Sequence, residues 1–236
     1  MYYWIIVFLL LLGVYYTNRI EGYKSNTIKP YFFYINLKSR KDRKYHIVRQ
    51  LRRIGVSPRY IIRINAIAKS NGHLGCALSH LKVLDYIQRH QIPVAFVLED
   101  DFTWRKNPEY TRKKIKDLLL DPNWEICLLA CNGTMKPLNS MYSRVVSCQT
   151  TSGYIIRLSY VPILYRFWKS YIDNKQLNNN VYDNTILVYG FETAIDQSWK
   201  ILQQRHPEKW IASHPLLGKQ KNIADSATFK YGSSLI

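Results

Sequence analysis

The stretch Val94-Ala-Phe-Val-Leu-Glu-Asp-Asp101 most constrains what this chain can become. Five apolar residues in a row read as a strand buried on both faces, and three acids follow at its carboxyl end. Three adjacent negative charges repel one another and resist removal from water, so they call for a counter-charge. A divalent cation is the usual one, and a phosphate is the anion such a cation commonly holds. In open α/β sheets ligands lie just outside the carboxyl ends of the strands. The plainer alternative is an acidic turn on a solvated surface.

Around this stretch, strand-like and helix-like segments alternate. Tyr31–Leu37, Arg59–Asn65, Val94–Leu98, Trp124–Ala130 and Gly153–Leu158 read as strands. A helix follows Lys38–Arg43, capped by Ser39 or Asp42, runs to about Arg53 and stops at Gly55. Gly75–His90 places Ala77, Leu78, Leu81, Leu84 and Ile87 on one face. Further helices are expected over Glu109–Leu120, Tyr160–Tyr171 and Phe191–Gln204. This alternation predicts an α/β domain: a central, mostly parallel sheet with helices on both faces.

The first residues stand apart. Tyr2–Tyr16 is uncharged and apolar, with aromatic residues at both ends of an aliphatic centre. At ~1.5 Å per residue it reaches roughly 23 Å, short of the ~30 Å hydrocarbon layer. With no basic stretch before it and no cleavage signature, it reads as a signal-anchor over residues 1–18. Residues 19–29 form a linker and 30–236 the main domain. The lysines and arginines after the segment would leave that domain on the cytosolic side of a single-pass membrane protein.

The net charge of +18 favours an anionic partner. No helix-turn-helix, zinc-finger or aromatic RNA-binding pattern directs that charge to nucleic acid, so nucleic acid stays a minor alternative. The four cysteines contain no C-x-x-C pair. Cys127 belongs to an apolar run and reads as core, Cys127 and Cys131 form only a faint zinc signal, and nothing demands a disulfide.

Several stretches recur in the order of a known family: Tyr34–Arg43, Arg63–Ala66, Gly75-Cys-Ala-Leu-Ser-His-Leu81, Leu98-Glu-Asp-Asp101, Thr151-Ser-Gly-Tyr154, Ile195-Asp196 and His214–Gln220. On these the chain resembles glycosyltransferase family 25, which includes lipooligosaccharide (lipopolysaccharide-biosynthesis) and collagen galactosyltransferases. The resemblance covers roughly residues 31–226. It departs near the end, where Asp225-Ser226 follows Ala224 in place of the family's Ser-Asp-Ile.

The resemblance implies a GT-A-like domain, a UDP-sugar donor carrying galactose or glucose, Mn²⁺ (or Mg²⁺), and transfer with inversion to a glycan, lipid or protein hydroxyl. Asp101 and Asp100 are then the expected metal ligands, with Glu99 a ligand or ribose contact. Asp196 is the expected base or acceptor contact, and Glu192, four residues earlier, would share its helix face. Asn36, Arg40 and Arg43 follow the first strand, where donor base and phosphates would lie. Ser79, His80, His214 and Gln220 fall in matched motifs and are expected substrate contacts, whereas His73 has no such support. Asn132-Gly-Thr134 is a glycosylation sequon, relevant only in a secretory lumen. An inactive scaffold that keeps this fold is the main alternative.

Overall fold

The computed structural model describes residues 29–179 and 194–221, the side chains of 174–179 excepted. In chain order the elements are β1 (Tyr31–Asn36), α1 (Lys41–Arg53), β2 (Ile61–Asn65), α2 (Gly72–Arg89), β3 (Val94–Glu99) and β4 (Phe102–Trp104). Then come α3 (Pro108–Leu120), β5 (Ile126–Leu128), β6 (Asn132–Pro137), β7 (Tyr142–Gln149), β8 (Gly153–Arg157) and α4 (Val161–Asn179). The last are α5 (Ile195–Ser198), α6 (Lys200–Arg205), β9 (Trp210–Ser213) and β10 (Gly218–Gln220).

The main sheet has the order β2-β1-β3-β8-β5-β9-β7-β6, and β10 pairs with β4 in a small second sheet. β1 pairs parallel with β2 and β3, and β5 parallel with β9. β8 lies antiparallel between β3 and β5, and β7 is antiparallel to both β9 and β6. Most strands therefore point one way, with β7 and β8 reversed. The expected mostly parallel sheet holds for strand direction, while the pairing itself is mixed.

The continuous apolar runs of β1 and β3 follow from burial on both faces. Phe33, Ile35, Ala95 and Val97 face one core, where α2 and α4 supply Leu84, Leu164 and Trp168. Phe32, Tyr34, Phe96 and Leu98 face the other, against Ile47 and Leu51 of α1 and Ile115 and Leu118 of α3. Helices cover both faces, as the sequence pattern predicts.

Helix starts differ from expectation where side-chain chemistry intervenes. α2 begins three residues early because the Asn71 side chain accepts from the N–H groups of His73 and Leu74. Asn107 caps α3 in the same way, with Pro108 at the first turn. At α1 neither Ser39 nor Asp42 caps: Arg40 holds the N-cap position without a side-chain bond, and Asp42 instead pairs with the Arg40 guanidinium at 2.7 Å. Gly55 follows α1 at φ +76°, as a helix-stopping glycine does. β5 is shorter than its apolar run, and the described part of the last expected helix divides into α5 and α6.

One faint signal is ruled out and one expectation is overturned. Cys131, just before β6, is disulfide-bonded to Cys148 of β7, so it does not join Cys127 in a metal pair. Cys127 is buried in the core, as predicted. The single-pass membrane reading is also corrected: among the described residues no helix is long and apolar enough to cross a membrane. Residues 2–16, on which that reading was placed, lie outside the described residues.

Candidate active site

β3 ends at Glu99, whose N–H donates to the Ser152 carbonyl at 2.9 Å just before β8. Because β8 is reversed, the residues entering it meet the residues leaving β3. The chain then turns through Asp100 and Asp101 into β4. Phe102 anchors that turn by packing onto the backbones of two glycines. A Cβ built on Gly153 would stand 2.3 Å from the Phe102 ring, and one on Gly218 2.1 Å. Only a bare backbone leaves room for the ring there.

The turn gathers both aspartates around Arg43 of α1. Its Nη1 donates to Asp100 Oδ1 at 3.1 Å and to Asp101 Oδ2 at 3.3 Å. Asn36, at the end of β1, donates to Asp100 Oδ2 at 2.7 Å. Arg63 of β2 donates to Asn36 Oδ1 at 3.0 Å, which fixes the amide with its NH₂ towards Asp100. Gln220 of β10 donates to Asp101 Oδ2 at 3.3 Å. Asp101 Oδ1 and Arg43 Nη2 are buried with no hydrogen-bond partner among the described residues.

Glu99 looks elsewhere. Its Oε1 accepts from the Thr151 hydroxyl at 2.7 Å and lies 3.5 Å from His80 Nε2. His80 is fully buried, and its Nδ1 is 3.2 Å from the Tyr154 hydroxyl. Asp196 completes the acidic group. Its Oδ2 accepts from the Thr150 N–H at 3.0 Å, and Thr150 holds φ +90°, a rare conformation for a β-branched residue.

These groups open on one cavity of about 280 Å³, lined by Glu99, Asp100, Asp101, Asp196, Arg40 and Arg43 among others. Burial and the neighbouring Glu99 charge push the Asp101 carboxyl up to about 7, against the pull of Arg43. Burial likewise raises Asp100, partly offset by the Asn36 hydrogen bond, and raises Asp196, with Glu99 adding to it. Burial also works against the charged form of Glu99, but His80 and the Thr151 hydroxyl outweigh it and leave that carboxyl below its ordinary value. Burial and the charge of Glu99 raise the Cys76 thiol well above its usual range.

Most of the expected residues therefore converge. Ser79 and Gln220 line the cavity too, although the Ser79 hydroxyl is engaged locally, donating to the Gly75 carbonyl at 2.6 Å and accepting from the Ile67 N–H at 2.8 Å. Asn36 and His80 stand behind the wall and orient the carboxylates. His214 is not brought in: its ring nitrogen lies 3.4 Å from Ser143 Oγ, away from the cavity. His73, which had no sequence support, does line it. Glu192 lies outside the described residues. Sequence reasoning assigned no role to Thr150, Thr151, Cys76 or Arg63. Thr151 and Arg63 sit inside matched motifs, which was their available signal, whereas a strained backbone at Thr150 leaves no mark in composition.

The domain with this acid-lined cavity is a glycosyltransferase. The chain belongs to glycosyltransferase family 25 (LPS biosynthesis protein), whose model matches residues 60–178. Among solved structures, it is similar to a glycosyltransferase involved in glycosylation of the major capsid of PBCV-1. Identity there is 14% over 86% of this chain and 98% of that one, with a TM-score of 0.44. It is also similar to A197 from STIV, at 8% identity over 82% of this chain and 95% of that one, TM-score 0.40. No curated protein matches the chain.

Proposed function

We propose that the chain moves a hexose, galactose or glucose, from a UDP-sugar to a hydroxyl of a glycan, lipid or protein acceptor, with inversion and with a divalent cation. The observation that carries this reading is a pair of buried groups without a partner among the described residues, the acceptor Asp101 Oδ1 and the donor Arg43 Nη2, on two residues that line one cavity together with Asp196. A buried polar atom without a partner costs roughly 1–3 kcal/mol, so two of opposite kind together suit a ligand that is both cationic and anionic. A metal-bound diphosphate has that character.

The residues present fit Mn²⁺ or Mg²⁺. Asp101 and Asp100 would hold the cation through carboxylate oxygens, leaving positions for water and diphosphate. When bound, it offsets charge on the departing nucleoside diphosphate. Arg43 would meet phosphate oxygens with Nη2, which has no partner among the described residues, while Nη1 holds the two aspartates. Asp196 takes the proton of the acceptor hydroxyl. Its raised pKa suits a general base, and the Thr150 N–H keeps one carboxylate oxygen fixed in the cavity wall.

A screen of UDP-sugars with Mn²⁺, read by released UDP, tests this. Release is expected from the wild-type chain and not from Asp101→Asn with its circular dichroism unchanged. No release from any common sugar nucleotide would reject transfer in favour of an inactive scaffold.

A further inference from the structure

The three acids at the end of β3 do not share one environment. Asp100 and Asp101 meet Arg43, whereas Glu99 turns to α2. There the thiol of Cys76, Nε2 of His80 and a carboxylate oxygen of Glu99 lie within 4.8 Å of one another. Cys76 and His80 are four residues apart, so one helix face presents both.

We propose that Cys76, His80 and Glu99 form a second metal site, selective for a borderline-soft cation of the Zn²⁺ class, distinct from the all-oxygen pair Asp100–Asp101. Two further observations support it. His80 Nε2 is buried and has no hydrogen-bond partner among the described residues; it stands 3.5 Å from Glu99 Oε1, an ion-pair distance longer than a good hydrogen bond. A buried imidazole nitrogen held only by a 3.5 Å contact to a carboxylate, with a thiol beside both, has the donor set of a borderline-soft cation. The outer contacts also match those of a metal site. His80 Nδ1 meets the Tyr154 hydroxyl at 3.2 Å, and the Thr151 hydroxyl donates to Glu99, so two of the three ligands are oriented from behind.

Ligand atoms around tetrahedral Zn²⁺ stand roughly 3.3–3.8 Å apart at ordinary bond lengths. Binding a cation there would require side-chain rotation of Cys76 and Glu99, both partly exposed, to close the remaining gap. Cys76 and Glu99 both line the cavity, so a fourth position opens towards it. A thiolate–imidazole–carboxylate set selects against Mn²⁺ and Mg²⁺, which prefer oxygen alone.

Cobalt reports on such a site directly. The full-length chain, stripped with a chelator and titrated with Co²⁺, is expected to develop an intense near-ultraviolet sulfur-to-cobalt band that Zn²⁺ abolishes. Cys76→Ser is expected to lose the band and Asp101→Asn to keep it. Absence of the band in the wild-type chain, or its survival in Cys76→Ser, overturns the site. A second measurement needs no variant. Cys127 is buried and Cys131–Cys148 is oxidised, which leaves the half-buried Cys76; burial and Glu99 hold its thiol protonated, so labelling is run at an alkaline pH where the metal-free chain reacts at a measurable rate. Zn²⁺ is expected to slow its alkylation by iodoacetamide about tenfold or more, because the metal holds the thiolate. Unchanged labelling overturns the proposal. The site does not rest on sugar transfer: a cobalt band in a chain that never releases UDP overturns the transferase reading alone.

Discussion

The Thr150 N–H reaches Asp196 Oδ2 at 3.0 Å from a backbone held at φ +90°. The strained residue follows β7 directly, and it ties the start of α5 to the loop entering β8. Strain of this kind costs about 1–3 kcal/mol and persists only where surrounding contacts enforce it.

Thr150→Gly removes the strain while keeping the N–H. It is expected to leave the Asp196 contact intact and to change stability by no more than about 1 kcal/mol, the relief in the folded state set against the added freedom of the unfolded chain. Asp196→Asn removes the base and is expected to lower kcat for UDP-sugar transfer about 10²–10⁴-fold with the fold intact. Urea unfolding and steady-state UDP release measure the two effects.

The pH dependence of stability has a definite sign at Asp101. Its folded-state pKa, about 7, lies above the unfolded value, so the folded chain binds the extra proton between them. The contribution is full below about pH 4 and is lost as pH rises through about 7. Asp100 and Asp196 act in the same direction, and Glu99 in the opposite one. Metal-free chain is expected to lose stability across this window, and Asp101→Asn to flatten the loss. Denaturant midpoints at pH 5 and pH 7.5 test it, and an equal fall in both forms would count against the buried carboxyl as the cause.

Gly153 and Gly75 are among the glycines that admit no side chain for reasons of space. Gly153→Ala meets the Phe102 ring at 2.3 Å, and Gly75→Ala meets the Ile67 carbonyl oxygen at 2.5 Å. Each is expected to destabilise by roughly 1–3 kcal/mol. Gly153→Ala should also weaken Mn²⁺ binding, since Phe102 follows the Asp100–Asp101 turn directly. Isothermal titration alongside thermal melting separates the two effects.

The disulfide joins residues 17 apart, on either side of the β6–β7 hairpin. Closing a loop of that length restricts the unfolded chain by about 3 kcal/mol. Replacing both Cys131 and Cys148 by Ala is expected to lower unfolding free energy by about 2–4 kcal/mol. Guanidinium unfolding of the oxidised wild-type chain against the double variant measures it.

Legibility in the sequence followed burial. β1, β3 and β8 were readable because cores on both faces demand unbroken apolar runs, and α2 because one face alone is apolar. β6, with nearly every residue exposed, and the short β4 and β10 carry no such pattern. β9 is buried but only four residues long, too short to show a period. At the site, Glu99, Asp100 and Asp101 were legible as a charge cluster, yet their division was not. Whether an acid faces Arg43 or His80 depends on the turn after β3, which local sequence does not encode. His214 misled because its motif neighbour Gln220 reaches the cavity and the histidine does not.

Reversal of β8 puts a strand entry beside a strand exit, so the chemistry is crowded onto one rim of the sheet. The opposite rim, where residues 89–93 and 121–125 turn, contributes nothing to the cavity. A fusion partner, affinity tag or lengthened loop is therefore best accommodated there, whereas a one-residue insertion upstream of Thr150 would misalign the acceptor side of the catalytic rim.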